Sequence, residues 1–166
     1  MITLQTCLIV SQLCCSILAY DPPGTRYDLS DERKQFACSI SNQIESAANR
    51  WNLEPELLTA LIIVESRFNP RAVSRANACG LTQVIPKWTG GRASRGIRYT
   101  CRELKDPETS LEAGASILRW WIDFRGDITH GLCAYNAGYR GCRVSRSYAR
   151  IVENLRDHLV NARQRK

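Results

Sequence analysis

The sequence is poor in the signals that mark several protein classes. Its 166 residues include two histidines and one methionine, with no low-complexity tract and no repeat of solenoid period. Disordered, fibrous and repeat architectures are therefore excluded. Neither the histidines nor the cysteines have the paired spacing of a zinc site, so we assign no metal and no cofactor. Strand signals are nearly absent, whereas apolar residues recur at helical spacing, which predicts one mainly α-helical domain.

Acidic residues are missing from one long stretch. Residues 66–102 contain no Asp or Glu but eight Lys or Arg, in a chain whose formal net charge is +7. Such a balance favours polyanionic partners, which include nucleic acid, anionic membrane and the acidic polymers of a bacterial wall. The stretch lacks regular aromatic interleaving and the chain has no helix-turn-helix, zinc-finger or RNA-recognition signature. We therefore expect no nucleic-acid partner.

The N-terminal stretch MITLQTCLIVSQLCCSILAY has no charged residue and is mostly apolar, and a polar, turn-like stretch follows it. This pattern is typical of an export segment. We predict that residues 1–20 are an export signal cut near Ala19, or alternatively an N-terminal membrane anchor. Residues 21–166 are then the functional domain, located in the periplasm or outside the cell.

Cysteine usage agrees with export. Cleavage near Ala19 would remove Cys7, Cys14 and Cys15 and leave five cysteines. Because five is an odd number, one of them would stay unpaired or pair elsewhere. Cys79 and Cys101 bracket a segment rich in Gly and Arg, and Cys133 and Cys142 bracket AYNAGYRG. Each pair would staple a loop if oxidised. The sequence leaves the connectivity open.

The predicted helices follow from apolar stripes and from capping signals. Thr109 and Glu112 have the spacing of a capping box, and Asp127 can cap the helix after it. Residues 66–102 contain too much Gly and Pro for one long helix, so short pieces joined by loops are expected there. The predicted helices cover about 31–51, 55–69, 109–125, 127–137 and a last one from about 145.

One carboxylate lies in an unusual place. Leu57, Leu61 and Glu65 are spaced i, i+4, i+8, so Glu65 continues the core-facing stripe of the second helix. Burial raises the pKa of a carboxyl group, which is what a general acid working near neutral pH requires. The alternative is that Glu65, near the helix end, turns to solvent or pairs with a local Arg such as Arg67 or Arg71.

Four sequence blocks occur in order: VESRFNP at 64–70, ACGLTQVIPKW at 78–88, CAYNAGY at 133–139 and SYARIV at 147–152. With their surroundings, over about residues 36–160, they resemble the soluble lytic transglycosylase (SLT) domain family. The resemblance implies a lysozyme-like, mainly helical fold, related to that of goose-type lysozymes. It also implies a groove for the glycan strands of peptidoglycan, and we expect a monomer.

The resemblance also implies roles for single residues. Glu65 is the catalytic acid, Ser66 can hydrogen-bond to it, and Tyr148 can orient its carboxylate. Gly80 permits a tight turn, and Thr82 replaces a methionine of the family on the groove wall. The substrate is held by Gln83, Tyr135 and Asn136. Apart from the four blocks, each of these would pass for an ordinary structural residue.

The implied reaction cleaves the bond between N-acetylmuramic acid and N-acetylglucosamine without water and leaves a 1,6-anhydro-muramyl end. Most glycosidases use two carboxylates, and a nucleophile within the substrate explains why one suffices. Two alternatives remain: a muramidase that cuts the same bond with water, and an inactive wall-binding or assembly module. The setting would be a secretion or conjugation apparatus, phage entry or wall turnover, with components of such a machine as partners.

Overall fold

The computed structural model describes residues 11–20 and 27–164. In these residues the only β structure is a pair of isolated bridges, Val73 to Cys79 and Cys79 to Val84, so the prediction of a mainly helical domain is confirmed. The α-helices are α1 (Gln12–Leu18), α2 (Asp31–Ser39), α3 (Ser41–Arg50), α4 (Pro55–Ser66), α5 (Pro107–Arg125), α6 (Ile128–Ala137) and α7 (Cys142–Gln164).

Helix α4 lies at the centre of the core. Pro55 occupies its first turn, where a missing N–H costs nothing, and Leu58, Leu61 and Ile62 are fully buried. The helix packs against α3 and α7 and ends at Ser66, and the next residue, Arg67, has a left-handed φ of 49°. Residues 56–63 of α4 are all buried. Glu65, in the last turn of the same helix, is partly buried.

The segment 31–51 is two helices where the spacing predicts one. Ile40 has φ −105° and ψ 9°, which ends α2 and starts α3. Ile40 and Ile44 are both buried, as they would also be four residues apart on one straight helix. The helical spacing therefore gives no sign of the bend.

Helix α5 begins earlier than predicted, and Thr109 is not its cap. The Asp106 carboxylate accepts a hydrogen bond from the Thr109 N–H at 2.9 Å, and Pro107 fits the first turn. Glu112, the expected capping-box partner, instead accepts a hydrogen bond from the Trp51 ring at 2.9 Å. Asp127 does cap α6, since its carboxylate accepts from the His130 N–H at 2.8 Å.

The described part of the N-terminal segment packs into the same core. Leu13, Ile17 and Tyr20 are fully buried, and Cys14 is bonded to Cys38. Residues 1–10, where the predicted export segment begins, lie outside the described residues. None of the helices within 11–20 and 27–164 is long and apolar enough to cross a bilayer.

Candidate active site

Glu65 lies in the last turn of α4, where the Tyr148 hydroxyl donates a hydrogen bond to its Oε1. Burial raises the pKa of the Glu65 carboxyl from 4.5 to about 7, although the hydrogen bond from Tyr148 acts in the opposite direction. Burial therefore has the larger effect. A carboxyl group whose pKa lies close to neutral pH can both donate and accept a proton there.

Tyr148 reaches Glu65 from α7, which has a kink three residues before it. Ser145 has non-helical angles, φ −128° and ψ 15°, three residues before Tyr148. The buried Ser145 hydroxyl accepts a hydrogen bond from the Asn136 side chain. Burial and the nearby Glu65 hold the pKa of Tyr148 well above its usual range. The phenol thus stays protonated and remains a donor to Glu65.

Tyr135 joins α6 to the turn formed by residues 80–83. Its hydroxyl donates a hydrogen bond to the Thr82 carbonyl at 2.8 Å. Burial and the charge of Glu65 raise the pKa of this phenol. The Tyr135 hydroxyl thus stays protonated and remains the donor that holds the turn.

The turn itself depends on Gly80. A Cβ at this position would lie 1.7 Å from the Leu104 carbonyl oxygen, and the backbone has φ +78°, so only glycine fits. The Gln83 Nε2 donates to the carbonyls of Ala72 at 3.2 Å and Gly80 at 3.0 Å. With the nitrogen engaged inside the protein, Oε1 is the Gln83 atom that can accept a hydrogen bond from a substrate N–H or hydroxyl.

The assignment of Thr82 to the groove wall is wrong. Its side chain is fully buried, and its hydroxyl donates to the Ser110 carbonyl at 2.8 Å. A Cβ added at Gly114 would lie 2.4 Å from the Thr82 Cβ, so the two residues interlock. The branched side chain packs into α5, and Thr82 serves the site through the carbonyl that Tyr135 contacts.

Two further predicted residues make contacts other than those expected. The Ser66 hydroxyl donates to the Ile62 carbonyl of its own helix at 3.3 Å, whereas the expected bond is to Glu65. Asn136 is exposed but directs its amide to Ser145. Ser145 is the residue that sequence reasoning misses, because helical spacing places it at the start of the last helix without pairing it with Asn136.

Two disulfides fix the segments around Glu65. Cys79 is bonded to Cys101, which ties the turn to the end of the basic stretch. Cys133 is bonded to Cys142, which ties α6 to the start of α7. Both segments that contact the site are thus held covalently. Over residues 11–20 and 27–164, no group of three His, Cys, Asp or Glu could hold a metal ion.

Comparison with known proteins identifies the class to which this fold and site belong. The transglycosylase SLT domain model matches residues 42–154. The endo-type membrane-bound lytic murein transglycosylases A of Salmonella paratyphi B and Salmonella enteritidis are each 40% identical over 109 residues, 63% of this chain. The chain spans about half the length of these relatives, 52%.

A solved structure shows the same fold. An inactive mutant of lytic transglycosylase Slt from Pseudomonas aeruginosa superposes with a TM-score of 0.55 at 23% identity, over 81% of this chain and 23% of that one. The fold is thus the lysozyme-like one of soluble lytic transglycosylases. The chain belongs to the transglycosylase SLT domain family.

Proposed function

We propose that this protein is a peptidoglycan lytic transglycosylase with Glu65 as its one catalytic carboxylate. The observation that carries the proposal is the state of that carboxyl group: burial raises its pKa to about 7, and a tyrosine hydroxyl holds Oε1. Neither cause of the shift is a second carboxylate. A single group that can give and then take a proton suits a reaction that needs one acid and one base in turn.

In the first step, protonated Glu65 gives its proton to the oxygen that joins N-acetylmuramic acid to N-acetylglucosamine. The bond between this oxygen and the muramyl anomeric carbon breaks, and positive charge develops on the sugar ring. The Glu65 carboxylate that remains is next to the cationic ring and stabilises it. Tyr148 keeps the carboxylate oriented, since its phenol still donates a hydrogen bond.

In the second step, the muramyl 6-hydroxyl attacks its own anomeric carbon, and Glu65 takes the hydroxyl proton. The new bond closes the 1,6-anhydro ring, and the carboxyl group returns to its starting state. No separate nucleophile has to be captured, which avoids the entropy cost of ordering one. This accounts for a site built around one carboxylate.

The neighbouring residues have supporting roles in this proposal. The Gln83 Oε1 accepts from the acetamido N–H of a sugar, because its nitrogen is engaged by the carbonyls of the turn. Gly80 lets that turn form, and Tyr135 holds it against α6. Asn136 is exposed and can meet the substrate, while Ser66 stabilises the helix end that carries Glu65.

The test is digestion of purified peptidoglycan, with the soluble products identified by mass spectrometry. The protein should release muropeptides lighter by one water than those that a lysozyme releases. Glu65→Gln should release none, because it keeps the size of the side chain and removes the acid. Glu32→Gln, at an exposed position of α2, is the matched control and should be fully active. Hydrated products would make the enzyme a muramidase, and active Glu65→Gln protein would refute the role of Glu65.

Residues 1–20 direct the protein to the cell envelope in this proposal, where its substrate lies. Cleavage near Ala19 would remove α1 and Cys14, and Cys38 would lose the partner it has in the intact chain. An uncleaved anchor would keep both. Intact mass and thiol alkylation of protein from the envelope distinguish the two: a shortened chain with one reactive thiol marks cleavage.

The enzyme would open the wall locally for a larger assembly, such as a secretion, conjugation or phage-entry machine. Its resemblance to small exported members of the family supports this setting. Crosslinking in the envelope, followed by identification of the crosslinked proteins, tests it. Recovery of wall-synthesis enzymes alone would favour wall turnover.

A further inference from the structure

The positive charge of the molecule is concentrated in one segment. Residues 66–102 hold eight of the 23 Lys and Arg residues and none of the 16 Asp and Glu residues. The rest of the chain therefore carries 15 basic residues against 16 acidic ones. The excess charge of +7 comes from this segment alone, and all eight of its basic side chains are exposed.

Half of these cations lie on a compact loop, residues 86–98, which we call the basic loop. The Gly90 N–H donates to the Ile97 carbonyl at 2.8 Å and to the Ser94 hydroxyl at 2.8 Å, which closes the loop on itself. The Tyr99 N–H donates to the Thr89 hydroxyl at 3.0 Å and anchors its far end. The Cys79–Cys101 disulfide ties its flanks together. The loop is thus a fixed surface.

The exposed face of the basic loop is composed of cations and apolar groups. Trp88 is 72% exposed and Ile97 is 49% exposed. The four cations are also exposed, and none takes part in the ion pairs found within the described residues: Lys87, Arg92, Arg95 and Arg98. The loop has two neutral polar side chains, Thr89 and Ser94, and both are buried and bonded inside it.

This chemistry argues against a sugar subsite. A sugar hydroxyl both donates and accepts hydrogen bonds, but the basic loop exposes no side-chain acceptor, because it exposes no Asn, Gln, Asp, Glu, Ser or Thr and its Lys, Arg and Trp side chains only donate. Exposed tryptophan beside lysine and arginine is instead the combination found where proteins contact the interface of a bilayer. Lys87 Nζ lies 5.2 Å from the centre of the Trp88 ring, so charge and ring are presented together.

We propose that the basic loop binds the surface of an anionic phospholipid bilayer. Lys87, Arg92 and Arg98 contact lipid phosphates while the Trp88 side chain enters the headgroup region. Arg95 lies over the Trp51 ring, 5.4 Å from its centre, and is not needed for the contact. Glu65 is not part of the loop, so binding does not depend on the proposed catalysis. The consequence is an enzyme that the basic loop itself holds beside the membrane.

Sedimentation with vesicles tests the proposal. The full chain should bind phosphatidylglycerol–phosphatidylethanolamine vesicles and leave phosphatidylcholine vesicles unbound. Binding should weaken as NaCl rises, because the Debye length is about 10 Å at 0.1 M. Lys87→Glu/Arg92→Glu should lower the affinity at least about tenfold, given the contribution of each cation near an anionic surface.

The matched control is Arg143→Glu/Arg150→Glu, which changes the net charge by the same amount at exposed positions of α7. It should bind nearly as well as the unchanged protein. Trp88→Phe should abolish the blue shift of tryptophan fluorescence on vesicle addition. Equal loss in both charge-reversed variants, or no binding to anionic vesicles at low salt, would overturn the proposal. So would binding through Lys87 and Arg92 to isolated peptidoglycan without binding to vesicles.

Discussion

The two sides of Glu65 are built on different principles. On the helical side, α6 and α7 present side chains, and the Tyr148 hydroxyl reaches the carboxyl group itself. On the turn side, residues 72–84 use backbone: the carbonyls of Ala72 and Gly80 hold Gln83, and the Thr82 carbonyl accepts from Tyr135. A side chain can be removed by mutation while its helix stays intact. A backbone carbonyl cannot be removed by mutation, so its contacts are lost only when the local backbone changes. We therefore expect loss of chemistry on the first side and loss of structure on the second.

Gly80→Ala should produce the largest effect and should act through stability. The new Cβ would overlap the Leu104 carbonyl, and the alanine would have to adopt an unfavourable φ of +78°. We expect a loss of about 4 kcal/mol in the free energy of unfolding, the sum of backbone strain and overpacking. Gly96 has the same φ, and a Cβ added there would meet nothing within 4 Å, so Gly96→Ala isolates the strain and should cost about 1 kcal/mol. Chemical denaturation measures both, and equal costs would contradict the crowding at Gly80.

Glu65→Gln should show how much burial of the ionised carboxyl group lowers the free energy of unfolding. The pKa rises from 4.5 unfolded to about 7 folded, so the unfolded chain releases its proton first and stability falls as pH rises between these values. Above pH 7 the cost reaches about 3 kcal/mol. Glutamine has no proton to lose, so the variant should be more stable by up to that amount at pH 8 and no more stable below pH 4.5. Thermal unfolding across pH, with Glu32→Gln as control, tests this; a gain that does not vary with pH would contradict it.

Tyr148→Phe should affect the chemistry of Glu65, and the pH dependence of kcat/KM should distinguish it from a change on the turn side. The Tyr148 hydrogen bond lowers the pKa of Glu65, so its loss should move the alkaline limb of kcat/KM to higher pH. The rate should fall about tenfold, since the carboxylate loses a directed hydrogen bond. Tyr135→Phe removes a hydroxyl of the same type from the Thr82 carbonyl. It should destabilise the turn while the alkaline limb stays in place, and matching shifts would refute the distinction.

Ser145→Ala should give the smallest effect, and it tests whether the kink at Ser145 helps to position Tyr148. The variant leaves the Asn136 amide without its partner, which should cost about 1 kcal/mol and lower kcat a few-fold with KM unchanged. Ser147→Ala, at an exposed position two residues later, should change neither. Asn136→Ala should match Ser145→Ala if both act through the bend. A rise in KM for Asn136→Ala alone would show that Asn136 binds substrate directly.

The helices and Glu65 could be predicted because their signals are local. Leu57, Leu61 and Glu65 repeat at the helical period, which predicts the helix and places Glu65 on the same side as the two leucines. Helix starts and bends are harder to predict. The spacing favours Thr109 as a cap although Asp106 has that role, because both residue types favour the position and packing selects between them.

The contacts of the site could not be predicted in the same way. Ser66 and Thr82 lie beside functional residues in sequence, yet their hydroxyls bond to Ile62 and Ser110 carbonyls. Sequence shows that a hydroxyl is present, and only the packed neighbours decide where it points. The close packing of the Thr82 side chain against Gly114 could not be predicted either, since the two residues are 32 positions apart in sequence.

The chain's order of residues is enough to establish the mainly helical class, the family, the position of Glu65 at the end of a buried helix and the concentration of charge in residues 66–102. These depend on periodicity, composition and ordered blocks, which are properties of the chain before it folds. Only the tertiary structure shows that Tyr148 contacts Glu65 and that the Thr82 side chain faces α5. It alone also shows that the two hydroxyl groups of the basic loop are buried. Such contacts join residues far apart in sequence, and their geometry exists only once the helices have packed.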